Sequence, residues 1–191
     1  VSTYTAYAQY MHYNKYIHNR GHMTVLAKTP KQEMQAKVEL WALNICDCLE
    51  ENYKQYTIAS HERHLSADQG EWSTKYHAER LAEIARGEAT LNRYRAYTGR
   101  KYIKIVMQEF DDMGPNPTKE YKDSSVHAFI DKNTGEVYMP AGYNKPTTTG
   151  KHPVRFDYRI IKDREYLLNP VNTSWAGGYL YDRSHLPSKY I

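Results

Sequence analysis

The sequence predicts an α+β protein, with an extended Tyr-rich N-terminal arm, an antiparallel helical hairpin and then a small antiparallel β-sheet. Three observations carry that expectation. A row of tyrosines at every third position opens the chain and matches no ordinary core stripe. Two long runs with apolar residues three and four apart follow, each opening on a capping-box signature. After Gly99 the pattern shortens to strand-like runs separated by turn residues. The expected boundaries are 1–27 for the arm, 28–99 for the hairpin and 100–191 for a β region packed on the helices. Residues 28–191 would form one domain.

The arm contains Tyr4, Tyr7, Tyr10, Tyr13 and Tyr16, with Lys15 and Arg20 and no acidic residue. A helix turns once per 3.6 residues, so each step of three falls about 60° short of a full turn. The row would wind around a helix, whereas in a three-residue-per-turn extended arm all five rings line one edge. Across the chain there are 19 Tyr against 3 Phe and 3 Trp. Tyr has an apolar body and a polar tip, which suits half-buried interfaces more than deep cores. The five tyrosines are therefore candidate partner-binding residues, each ring filling a notch on a neighbouring protein. Packing back onto the chain's own fold is the alternative. The start Val1-Ser2 reads as a mature terminus left by removal of an initiator Met.

Thr29-Pro30-Lys31-Gln32 reads as a capping box with Pro at the first helical position. Met34, Val38, Trp41, Ile45, Leu49, Tyr53 and Tyr56 then predict a helix to about Tyr56. Ser66-Ala67-Asp68-Gln69 reads as a second box, and Trp72, Tyr76, Leu81, Ile84, Ala85, Leu91 and Tyr94 as its apolar stripe, ended by Thr98-Gly99. Lys101–Met107 predicts a strand. Ser125–Asp131 and Glu136–Met139 predict a β-hairpin turning at Lys132-Asn133-Thr134-Gly135. Residues 140–153 are loop-rich, Val154–Ile161 is a further strand, Asp163–Leu168 a helical turn, and Trp175–Tyr181 a last strand.

A search for chemistry yields no catalytic, cofactor or metal expectation. His61-Glu62-Arg63-His64 has His at i and i+3, whereas the zincin pattern needs i and i+4; it reads as a solvated linker. His18 and His22 have loop-like spacing, and His77 and Glu79 point about 200° apart on a helix. Around Gly150-Lys151 a phosphate loop fails, because Lys145 and His152 stand where it needs Gly and Ser or Thr. Asp111-Asp112 read as turn residues. Cys46 and Cys48, at i and i+2 on a helix, cannot bridge and read as small core residues made in a reducing cytoplasm. No stretch reaches the roughly 18 apolar residues of a membrane span, and mean hydropathy is −0.83. The expectation is a non-enzymatic protein without cofactor or membrane partner.

Charge is unevenly spread. Residues 28–71 hold five basic and eight acidic side chains, and residues 72–104 hold eight basic and three acidic. Arg86, Arg93 and Arg100 recur every seven residues, nearly one helix face, with Tyr94, Arg95 and Tyr97 close by. Such a strip grips phosphates and stacks on bases, docks an acidic partner, or is a solvated face paired with the acidic first helix. Lys145, Lys151 and Arg155 are expected to decorate a Pro-punctuated loop.

The stretch V-H-A-F-I-D-K-N-T-G-E-V-Y-M-P-A (126–141), followed by Lys145-Pro146 and Val154-Arg155-Phe156, is similar to a segment of small, largely uncharacterised tailed-bacteriophage proteins. The resemblance spans roughly 40 residues and implies a phage origin, with no activity attached. The leading expectation is a virion structural or assembly protein, a head, neck or tail accessory subunit that holds other virion proteins through its arm. It would pass through the host cytoplasm into the particle. The alternative is a small basic nucleic-acid-binding protein of phage DNA or RNA metabolism.

Overall fold

The computed structural model describes residues 28–67, 70–113 and 115–181. Helix α1 runs Pro30–Ser66 and α2 runs Glu71–Arg86. Strands β1 (Arg93–Thr98), β2 (Tyr102–Phe110), β3 (Tyr121–Asp131), β4 (Glu136–Tyr138) and β7 (Val154–Asp157) form one antiparallel sheet in the order β1-β2-β3-β4-β7. Between β4 and β7, β5 (Pro140–Gly142) and β6 (Lys145–Pro146) pair as a separate ribbon. Helix α3 (Ile161–Leu167) and a 3-10 turn at Gly178–Leu180 complete the described chain. The architecture is α+β, and the arm at 1–27 lies outside the described residues.

The start of α1 follows its sequence signal. Thr29 Oγ1 accepts the Gln32 N–H at 3.3 Å, and Gln32 Oε1 accepts the Thr29 N–H at 2.8 Å, so two end donors are satisfied reciprocally. The buried residues Val38, Ala42, Ile45 and Leu49 recur at three and four, so α1 presents one face to the sheet. They meet Ile103, Ile105, Ala128, Ile130, Val137 and Phe156 from the strands, with Tyr158, Leu167, Tyr179 and Leu180 from the C-terminal part. Trp41 stacks on Tyr158 with ring centroids 5.1 Å apart. Asn52 ties the far end of the chain to α1, donating to the Pro170 carbonyl at 2.7 Å and accepting the Trp175 N–H at 2.8 Å. One core therefore joins helix, sheet and C-terminal segment.

Several boundaries differ from the sequence expectation. Helix α1 continues past Tyr56 to Ser66, whose Oγ donates back to the Arg63 carbonyl at 2.8 Å. Ser66 thus closes one helix instead of opening the next; the N-cap of α2 is Gly70, and Asp68 and Gln69 lie outside the described residues. Helix α2 stops at Gly87, in the left-handed region at φ +72°, whose N–H reaches the Glu83 and Ile84 carbonyls. The helical part ends at Arg86, not at 99, and Arg93–Thr98 is the edge strand β1. Gly99 belongs to the β1–β2 turn, where its N–H donates to the Tyr102 carbonyl at 2.8 Å. Strand length is also short of expectation at Val154–Asp157, and no strand forms at 175–181, where Gly178–Leu180 is a 3-10 turn instead.

The predicted hairpin turn at 131–136 is present and firmly seated. Asp131 Oδ1 accepts the Asn133 N–H at 2.9 Å, and the Asp131 carbonyl accepts the Gly135 N–H at 2.7 Å. Gly135 sits at φ +76°, and a Cβ there would lie 3.2 Å from Tyr158 Cβ and 3.5 Å from Val38 Cγ2. Gln35 of α1 donates to Asn133 at 2.8 Å across the same contact. The turn at 131–136 is thus one of the places where the sheet packs on α1.

Candidate functional site

Of the expected Arg/Tyr strip, only Arg93, Arg95 and Tyr97 come together, and they do so on strand β1, not on a helix. On a strand successive side chains alternate, so Arg93, Arg95 and Tyr97 share the face opposite Tyr94. Arg93 lies 3.9 Å over the Tyr121 ring. Arg95 lies 5.3 Å and Lys104 6.0 Å from the Tyr97 ring centre, and Lys104 lies 4.0 Å over Tyr143 of the β5–β6 turn. Lys145 follows Asn144, whose side chain takes the Lys104 ammonium at 3.5 Å. Asp123 sits among these cations and accepts from Gln108 at 2.7 Å, Tyr97 at 2.8 Å and Tyr143 at 3.2 Å. The Gln108 bond, helped by the two phenols and Lys104, holds the Asp123 carboxyl below its ordinary range, so it stays ionised.

Other expected members fall elsewhere. Tyr94 is buried; its hydroxyl donates to the Trp175 carbonyl at 2.9 Å and its N–H to Glu50 at 2.8 Å, so it cannot stack on a base. Arg86 ends α2 and donates to Glu88 at 2.8 Å, and Arg100 stands exposed in the β1–β2 turn. The seven-residue spacing carries no meaning once a helix, a strand and a turn hold its three members. Lys151 is exposed in a loop, whereas Arg155 lies on β7 with its Nε and Nη1 buried, so it does not decorate that loop. Tyr4, Tyr7, Tyr10, Tyr13 and Tyr16 lie outside the described residues.

A second assembly was missed from the sequence. At the end of the hairpin where α1 meets the start of α2, His61 Nδ1 and His77 Nδ1 are 2.7 Å apart. His64 stacks on His77 at 4.6 Å and 8°, and Tyr76 meets the His77 ring edge-on at 5.1 Å. Tyr76 in turn stacks on Trp72 at 5.8 Å and 5°. Trp72 is 80% exposed and Tyr76 45% exposed, so the apolar stripe expected to bury both points outward here. The His61–His64 segment is the last part of α1, not a linker. Aromatics at i and i+4 on α2 were the available signal, and the assumption that an apolar stripe must face a core concealed it.

Two buried sites are chemically quiet. His127 hydrogen-bonds Tyr179 through Nε2 at 2.9 Å, and burial pushes its pKa down to about 4, leaving it neutral. It borders a cleft of about 270 Å³ lined mainly by Met107, Met139, Trp175, Leu180 and Tyr181. Cys46 and Cys48 are free and buried, as expected. Burial, reinforced by nearby carboxylates, lifts their thiols to about 12 and about 11, which leaves them unreactive.

Among the described residues no three His, Cys, Asp or Glu side chains are arranged to hold a metal ion, and no helix is long and apolar enough to cross a membrane. No curated protein and no solved structure matches the chain. A family model does match, over residues 24–182, a span that takes in both helices, the whole sheet and the exposed Trp72–Tyr76 pair; the chain belongs to this family of unknown function, DUF7717.

Proposed function

We propose that this protein is a non-enzymatic structural or assembly subunit of a tailed-bacteriophage particle that docks on neighbouring virion proteins. The observation that carries the docking role is the stacked Trp72–Tyr76 pair, with Trp72 80% exposed near the uncovered N-terminal end of its helix. Flat aromatics held rigid by each other lose little freedom on binding and are the side chains that anchor interfaces. The tyrosine row at Tyr4–Tyr16 adds a second set of anchors of the same chemistry. The phage assignment rests on the resemblance of residues 126–141. Mass spectrometry of purified virions beside the lysate of the same infected cells tests it. Enrichment in the particle is the expected result; presence in lysate with absence from virions refutes it.

Nucleic-acid binding is the second reading, favoured by Arg95, Tyr97, Lys104 and Tyr143 on one sheet face. It ranks second because Asp123 places a negative charge among the cations and occupies both phenol tips. A phosphate-gripping face should lose affinity with salt at a slope near −0.7 to −0.9 per contact. Filter binding at two salt concentrations checks this, and no retention of single or double strands at low salt removes it.

A further inference from the structure

The His61–His77 contact constrains where protons can sit. A hydrogen bond between two Nδ1 atoms at 2.7 Å requires one ring to donate and the other to accept through a bare nitrogen. The pair therefore works with at most one ring charged. A second proton removes the acceptor and sets two N–H groups and two positive charges face to face. The surroundings offer no relief: the groups acting on His61 are His64 from α1 and His77 and Arg80 from α2. Arg80 is itself paired with Glu83. Burial first, then these positive neighbours, lowers the pKa of His61 from its ordinary 6.5. The Trp72–Tyr76 pair is built directly on these rings, since Tyr76 lies edge-on to His77 at 5.1 Å and to His61 at 6.3 Å.

We infer that the hairpin end is a pH switch: one proton shared between His61 and His77 seats the Trp72–Tyr76 pair against α1, and a second proton unseats it. The surface is ordered at neutral pH and loosened in acid. The sign follows from the direction of the shift. A histidine whose folded pKa lies below 6.5 takes its proton more readily when the contact is open, so the contact is fully stable above 6.5 and is lost as pH falls through the lower, folded value. Its use as a docking gate rests on the docking role proposed above, while the proton chemistry does not.

The test uses the full chain. Trp72 emission, taken as wild type minus Trp72→Phe, is followed from pH 8 to pH 5 together with the Cε1–H resonance of His61. The expected result is one transition with its midpoint below 6.5, seen both by Trp72 emission and by the His61 resonance. In His77→Gln the His61 titration should move back toward its ordinary value, and in both His61→Gln and His77→Gln the Trp72 transition should shrink or disappear. Flat Trp72 emission overturns the gate, as does the same transition in both variants or titration of His61 at its ordinary value in wild type. Far-UV circular dichroism checks that the variants fold; should either fail, the two wild-type titrations still decide. Particle proteomics separates the two proposals. A pH transition in a protein absent from virions keeps the switch and sinks the docking role, whereas presence in virions with flat Trp72 emission sinks the gate alone.

Discussion

Helices α1 and α2 differ more in what covers them than in their sequence pattern. Helix α1 buries Val38, Ala42, Ile45, Cys46, Cys48 and Leu49, while α2 buries only Ile84. Yet α2 segregates its apolar residues to one face better than α1 does. A hydrophobic face states which side of a helix avoids water; it does not say whether the same chain supplies the cover. For α1 the sheet and the C-terminal segment supply it, from Gln35 to Asn52. For α2 the cover ends partway, and Trp72 and Tyr76 lie beyond it.

If this contrast is correct, the largest effect comes from truncating the α1 face. Ile45→Ala or Leu49→Ala, both fully buried, should cost on the order of 2–5 kcal/mol and lower the denaturation midpoint sharply in a urea titration. A loss below about 1 kcal/mol would mean that α1 is not the main support of the core.

Acid should next strike the buried side of the sheet. His127 has its pKa lowered from 6.5 to about 4, so its neutral form contributes stability above pH 6.5 that is lost as pH falls to about 4. A shift of that size corresponds to roughly 3 kcal/mol at most. In His127→Gln the stability difference between pH 6.5 and pH 4, measured by denaturant titration, should shrink. An unchanged difference would assign the acid sensitivity to other groups, His61 first among them.

Gly135→Ala sharpens the view that residues 131–136 lock the sheet onto α1. Its φ of +76° and a Cβ 3.2 Å from the buried Tyr158 Cβ should together cost about 1–3 kcal/mol in thermal unfolding. Near-neutral behaviour would show that this contact can open without consequence. The smallest stability effect is expected at α2, where Trp72→Ala should change unfolding by less than about 0.5 kcal/mol. The same variant should nonetheless be depleted from purified particles when co-expressed with wild type. A large stability loss at Trp72 would place it in the protein's own core and end the contrast between the helices.

Much of the fold was legible locally. The Thr29/Gln32 box, the α1 stripe and the Asp131–Gly135 turn each rest on bonds between residues at most four apart, so short-range chemistry specified them. Gly87 was legible too, as a glycine after a basic last turn, but was passed over for the Thr98-Gly99 signal further on. Reading residues 93–98 as helix then turned an alternating Arg-x-Arg-x-Tyr strand face into a false seven-residue helix face. The row it should have suggested includes Lys104, Gln108, Asp123 and Tyr143, which come from three other elements and meet only through cross-strand register and the β5–β6 turn.

What the sequence determined by itself was therefore the class of the protein, the N-terminus of α1, the β-hairpin at 125–139 and the absence of a bridge between Cys46 and Cys48. Each depends on propensity, caps and periodicity within a few residues. Only the tertiary structure decided which aromatics are covered and which are offered. Tyr94 and Tyr97 lie three residues apart, one sealed under Trp175 and the other open beside Lys104. His61 and His77 meet within 2.7 Å because α1 and α2 pack against each other there. Burial and pairing depend on what stands opposite a side chain, and that neighbour comes from a distant part of the chain.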